Sequence, residues 1–338
     1  MSARARLLTA ILLSVVLLGA AAAYCVVTIV GYQAKRAAPA GSETTAFAAQ
    51  FAADRIVFRN TEPGEAYGLV ASVPAAHPTG RRSASGLACD RVYSEADWTM
   101  CLRIDRGILT TFSADLVGAD GAVVKSWPLP GIPSRTRVSP DGGLVAFTSF
   151  VTGEAYGTVG FSTATQISTT AGDDLGNLEQ FTFLIDGEPS TAADRNFWGV
   201  TFTSDPDIFY ATAASNGTNW LVRGDLTTRT LTTVRTGVEC PSISPDGTRI
   251  AFKKNVSTTA SAHWSLAVLD LETNKETLMP DTRTIDDQAE WLDDSTLLYG
   301  LPRAGAVGDS DVWSVAADGG SASTLFIEHA ESPSVVRP

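Results

Sequence analysis

The chain is poor in the residues on which most enzyme chemistry rests. Only three histidines occur, His77, His263 and His329, and none has a second histidine or a His-Glu pair at zinc-ligand spacing. There is no Gly-x-Ser-x-Gly elbow, so a serine hydrolase of that type finds no nucleophile. Phosphate-cradling loops of the Walker or dinucleotide kind are absent too. Basic charge is in deficit: 25 Lys and Arg face 37 Asp and Glu, for a net charge of −12. The first 36 residues hold four bases and no acid, which leaves a body of about −16. A body of that sign repels nucleic acid and anionic lipid, and its plain use is solubility.

Between Arg6 and Lys35 there is no charge at all, and Leu7 to Tyr32 is almost wholly apolar. As a helix this stretch is about 39 Å long, enough to cross a hydrocarbon core of about 30 Å. Two readings stand: an uncleaved anchor, or a signal peptide cut near the small-residue run Gly19 to Ala23. Cys25 does not complete a lipoprotein box, because the large Tyr24 precedes it. Basic residues flank both ends of the apolar run, so their balance gives no orientation. Both readings use the export machinery, which puts the body outside the cytoplasmic membrane. Ala37 to Ala53 is rich in Ala, Gly, Ser and Thr and reads as a flexible tether. The expected organisation is an apolar segment (1–36), a linker (37–53) and one body (54–338).

That body repeats one phrase. Ser244-Pro245-Asp246-Gly247 precedes Ile250-Ala251-Phe252, and Ser139-Pro140-Asp141-Gly142 precedes Leu144-Val145-Ala146-Phe147. Pro presets the first turn corner, Asp caps it through its side chain, and Gly accepts positive φ. In the strand that follows, Ile250 and Phe252 alternate with Arg249 and Lys253, so one sheet face is oily and the other wet. Weaker copies begin at Ser94, Ser204 and Asp293. The spacing of these five markers is roughly 40–50 residues with one gap near 65, the period of four-stranded propeller blades. The ends supply a sixth copy. Arg55 to Arg59 resembles a second strand lacking a first, and Glu331 to Val336 a first strand with nothing after it. Pairing them closes a ring and removes open sheet edges. The fold class expected is all-β, a six-bladed propeller closed by its C-terminal strand.

Carboxylates are the main residues left for chemistry. Asp286 and Asp287 precede the Glu290-Trp291 strand, and Glu331 precedes the closing strand, so all four acids fall near the start of innermost strands, where a propeller channel opens. Such a group suits a calcium site or a carboxylate pair for glycoside chemistry, or serves as a solvated rim that caps strand ends. Asp309 and Asp311 read as loop acids. The long gap holds an insertion, roughly Ala171 to Ala193, carrying Asp173, Asp174 and Glu179 around Phe181 to Ile185. It reads as an elongated outer hairpin turning at Asp186-Gly187, or as a recognition loop. Cys89 and Cys101 lie symmetrically about a turn near Glu95, on what should be adjacent strands of one hairpin. A disulfide there would compensate for a turn that lacks Pro-Asp-Gly. Cys240 is left as a buried small residue.

Ser-Pro-Asp-Gly followed by Ile-Ala-Phe, repeated blade by blade, resembles the TolB-type propeller repeat over about residues 54–338. The chain as a whole looks like the exported TolB-like proteins of high-GC Gram-positive bacteria. The resemblance implies closure by the C-terminal strand and a role as an envelope partner protein. An apolar segment stands where TolB carries an α/β domain. Two functions are expected to compete. One is a non-catalytic, envelope-anchored propeller that binds a protein or cell-wall ligand at one end of its channel. The other is a carbohydrate-active hydrolase or lyase using channel carboxylates. A ligand-sensing ectodomain would need a separate signalling partner, since few residues precede Leu7. No cofactor is expected apart from calcium as a candidate. The expected contacts are the membrane through the N-terminal helix and no nucleic acid, with a monomeric body.

Overall fold

The structure, a computed structural model, describes residues 3–37, 43–44, 47, 54–153, 160–258 and 261–337. A helix, Ala3–Ala37, comes first, and its stretch Arg4–Val30 is long and apolar enough to cross a membrane. The rest is six β-sheets, each with an innermost strand from which three more strands follow outward in chain order. Blade 1 is built from both chain ends. Its innermost strand is Ala330–Val336, followed outward by Arg55–Asn60, Leu69–Pro74 and Ser83–Ala88. Ile56 pairs with Val335 and Val57 with Ser334 in antiparallel register, so the ring closes as the terminal sequences imply.

Blades 2 to 6 start with the inner strands Arg91–Glu95, Ile132–Val138, Asn196–Phe202, Glu239–Ile243 and Glu290–Asp293. The face on which these strands begin is called upper here, and the face on which they end is called lower. Turns between first and second strands therefore lie on the lower face. In blade 3 the Gly142 N–H donates to Ser139 O at 2.8 Å and the Gly143 N–H to Asp141 Oδ1 at 3.0 Å, with Gly142 at φ 70°. In blade 5 the Gly247 N–H donates to Ser244 O at 2.9 Å, with Gly247 at φ 72°. Blade 2 turns more tightly, through Ala96 and Asp97 between the paired Glu95 and Trp98, with Ala96 at φ 50°, a conformation that disfavours any Cβ.

Each of the six blade interfaces has its own apolar cluster. Blades 1 and 2 share Val57, Val70, Cys101 and Val117, while blades 2 and 3 share Met100, Leu102, Val145 and Phe147. Phe197 and Phe209 of blade 4 meet Leu144 and Ile167 of blade 3, and Leu221 of blade 4 meets Ile250 and Phe252 of blade 5. Trp291 and Tyr299 of blade 6 pack on Leu266 of blade 5, and Leu298 and Val312 of blade 6 on Ile56 and Phe58 of blade 1. No blade buries its oily face alone, which is the physical reason the repeat must run full circle.

Four sequence expectations need correction. The gap between blades 3 and 4 is only partly an insertion: Asp174–Asn177 is the outermost strand of blade 3. The additional part is the hairpin Thr182–Ile185 and Glu188–Pro189, turning at Asp186 and Gly187, which extends the outer edge of blade 4 through parallel pairing with Thr230–Thr232. Phe183 explains why it docks, since its ring packs edge-on against Phe197 and Trp220. The disulfide Cys89–Cys101 is present, but Cys89 lies in the connection between blades, not in the hairpin. It ties the exit from blade 1 to the second strand of blade 2. Part of the tether is attached: Glu43–Thr44 pairs in parallel with Ser83–Ala84 of blade 1, and Phe47 packs on the cluster between blades 1 and 2. The rest of that linker lies outside the described residues. Asp309 and Asp311 are both buried; Asp309 lies in a loop as expected, but Asp311 belongs to the strand Ser310–Ala316. Asp309 accepts from Thr61 at 2.9 Å and sits 2.9 Å from His329 Nδ1, and Asp311 pairs with Arg303 at 2.7 Å.

Candidate functional site at the lower mouth of the channel

The inner strands run around the axis, so alternate side chains on each face the channel. The channel opens on the lower face as a cup of about 270 Å³. Its floor is built from three blades. Glu290 begins the inner strand of blade 6, Tyr93 lies in that of blade 2, and Arg137 in that of blade 3. Tyr93 Oη and the Val335 N–H both donate to Glu290 Oε1 at 3.3 Å. Arg137 Nη2 is 3.8 Å from Glu290 Oε2 and donates to Ala289 O at 3.3 Å. Its guanidinium also lies 4.4 Å from the centre of the Tyr93 ring. Burial raises the Glu290 carboxyl above its ordinary range, with Arg137 opposing, and raises the Tyr93 phenol well above its own.

The wall carries Glu95, at the end of the inner strand of blade 2, and Arg337, just beyond the closing strand. Arg337 Nη2 donates to Leu292 O at 2.6 Å. Burial first, and then the charge of Glu290, push the Glu95 carboxyl up to about 7, against the Ala96 N–H and Arg337. Blades 4 and 5 contribute the uncharged Thr201, Thr203, Ser204, Ser242 and Ser244. Above the floor, Arg135, Arg137 and Gln288 bound a space of only about 20 Å³, which makes the channel a cup rather than an open pore.

Of the four acids expected at the channel rim, only Glu290 lines this cup. Asp286, at the upper mouth, pairs with the fully buried Lys253, whose Nζ is also 4.0 Å from Glu239 Oε2. Burial works against the charge of Asp286, but Lys253 and Arg135 hold its carboxyl below the ordinary value. Burial pushes Glu239 up to about 7 despite Lys253. Asp287 caps the Gly300 N–H at 2.8 Å and borders the narrow space, while Glu331 pairs with Arg59 at 2.9 Å beside a separate groove.

The acids of the supposed recognition loop do not converge. Asp173 closes a turn with Thr169, Asp174 accepts from Gln166 at 2.9 Å, and Glu179 faces a cleft with Phe161, Asp194 and Arg195. Among the described residues no three His, Cys, Asp or Glu side chains are grouped to hold a metal ion.

Tyr93, Glu95, Arg137 and Arg337 were not legible as site residues. The available signal was Arg135 and Arg137, two like charges at alternate positions on one innermost strand.

No protein-family model and no curated sequence matches the chain. Among solved structures, TolB from Acinetobacter baumannii superposes with a TM-score of 0.54 at 16% identity, covering 84% of this chain and 67% of that one. The chain has a six-bladed propeller fold similar to that of TolB. A chain of a nidogen/laminin complex superposes with a TM-score of 0.55 at 9% identity, covering 83% of this chain and 98% of its own. At such identities the likeness is one of fold alone.

Proposed function

We propose that this TolB-like propeller is a non-catalytic, envelope-anchored binding protein that takes a protein or cell-wall ligand in the lower cup. The observation that carries this reading is the cup itself, a concave site with convergent polar groups from several blades. The attachment of the linker supports the anchoring. Glu43–Thr44 pairs at the start of Ser83–Ala88, on the lower face. Residues 38–42 separate that pairing from the end of the helix at Ala37, and a chain of that length reaches at most about 20 Å. With the helix in the cytoplasmic membrane, the cup opens on the face nearer the bilayer and outside the cytoplasm.

The test is capture from envelope extracts by the intact protein and by a Thr203→Trp variant, whose indole fills the cup. The expected result is specific capture that the variant loses while it still unfolds in one cooperative transition, somewhat lower because Thr203 Oγ1 bonds Asp205 and Ile208. Capture indifferent to the filled cup would move the site elsewhere.

A carbohydrate-active hydrolase or lyase is the second reading, favoured by Glu95 and Glu290 facing one cavity. Against it, both oxygens of Glu290 are already engaged, by Tyr93 and Val335 on one and Arg137 on the other. Turnover of a cell-wall glycan that disappears in Glu95→Gln would establish this reading over the first.

A further inference from the structure

The charged groups of the cup are unequally committed. Arg137 is spent on Glu290 and on the carbonyls of Thr136 and Ala289. Arg337 is spent on the carbonyls of Trp291 and Leu292. Glu290 has hydrogen bonds from Tyr93 and Val335 in addition to Arg137. Glu95 differs: it is largely buried and lines the same cavity, and among the described residues it makes no ion pair within 4.0 Å and accepts no side-chain hydrogen bond. The groups that face it are Tyr93 from its own strand, Glu290 from blade 6, Arg137 from blade 3 and Arg337 after the closing strand, whereas blades 4 and 5 offer only uncharged hydroxyls. A second carboxylate nearby raises the cost of ionising Glu95, and an incoming positive charge would offset that cost. The acidic body adds a long-range field that draws cations toward the mouth.

We propose that the cup selects a ligand bearing an ammonium or guanidinium group, with Glu95 as its counter-ion. The proposal rests on the reading of the cup as a ligand site and names the chemistry it recognises. As the cation enters, the carboxyl proton passes to solvent and the carboxylate–cation pair replaces it. With Glu95 titrating near 7, about nine-tenths of the site is ionised at pH 8 and about one-tenth at pH 6. A cation that binds only the ionised form is therefore held about tenfold more tightly at pH 8 than at pH 6.

The experiment is calorimetric titration of the intact protein with five probes. These are agmatine, a capped Ala-Arg-Ala peptide, its citrulline isostere, and glucosamine set against N-acetylglucosamine at pH 6.5. The peptide and amino-sugar arms separate a protein source from a cell-wall source. The expected result is binding by a cationic probe but not by its uncharged isostere, about tenfold tighter at pH 8 than at pH 6 for the guanidinium probes. Heats measured in two buffers of different ionisation enthalpy should report proton release. Glu95→Gln should abolish the pH dependence and weaken binding at pH 8 about tenfold. Arg337→Gln, on an exposed residue, should shift the pH midpoint upward. Equal binding of charged and uncharged probes, or affinity indifferent to pH and to Glu95→Gln, would overturn the inference and leave the cup as a ligand site. Absence of binding by every cation at pH 8 would also overturn it, and the Thr203→Trp capture experiment decides separately whether the cup is a site at all.

Discussion

Ring closure makes a quantitative prediction at Val335. This residue is 2% exposed, pairs with Ile56, and packs with Phe58 and Leu298 at the seam between blades 6 and 1. Val335→Ala removes two buried carbons and leaves a partly relaxed cavity, at a cost of about 2 kcal/mol. For a body of 285 residues (54–338) that corresponds to a fall in Tm of about 3 °C. The matched control is Val124→Ala on the outer strand of blade 2, where the side chain is 57% exposed and the cost stays within about 0.5 kcal/mol. Deleting residues 331–338 is the severe version. It removes the innermost strand of blade 1, with two buried valines at about 1.5–3 kcal/mol each and several ladder hydrogen bonds at about 1 kcal/mol each. That loss is comparable with the entire net stability of a domain, about 5–15 kcal/mol. The assay is thermal unfolding of residues 54–338 followed by far-ultraviolet circular dichroism. A truncated body that still melts cooperatively within a few degrees of the intact one would refute the closure argument, as would equal effects of Val335→Ala and Val124→Ala.

Two further outcomes follow from the same structure. The Cys89–Cys101 bond closes a loop with a sequence separation of 12, worth about 3 kcal/mol in the chain-entropy model. The double Cys→Ser variant should lose about that much, and reductant should lower the melting temperature of the wild type but not of the variant. Glu95 and Glu239 both titrate near 7 in the folded state and near the ordinary glutamate value, about 4.3, when unfolded. Between those values the folded protein holds protons that the unfolded chain has lost, so stability falls as pH rises from about 5 to about 7 and then levels off. Urea midpoints across that range should show the fall, and Glu95→Gln and Glu239→Gln should each flatten it. A profile that rises over the same window would contradict the sign of both shifts.

The fold was legible because its determinants are local and repeated. Ser-Pro-Asp-Gly specifies its turn through side-chain capping and one positive φ, and both act within a few residues. The pairing of Arg55–Asn60 with Ala330–Val336 was legible for a different reason, since each end lacked the partner that every internal copy has. The outer edges were harder to read. Asp174–Asn177 is four residues long and half exposed, so it carries little hydrophobic pattern, and the hairpin at Asp186-Gly187 was read as part of the same insertion. The site was the least legible part. Glu95 ends a strand beside an ordinary turn, and its titration is shifted first by burial and then by Glu290, nearly two hundred positions away along the chain. Spacing rules do not register a charge contact that only ring geometry creates.

The seam in blade 1 also bears on synthesis. Residues 55–60 are made well before their inner neighbour, with Val57 and Ser334 separated by 277 positions. Until that neighbour arrives, the nascent chain holds an unsatisfied β-edge and an exposed apolar flank at Ile56 and Phe58. Any chain cut short by a nonsense codon or a stalled translation complex keeps that flank open, so the seam marks incomplete copies for chaperones and proteases.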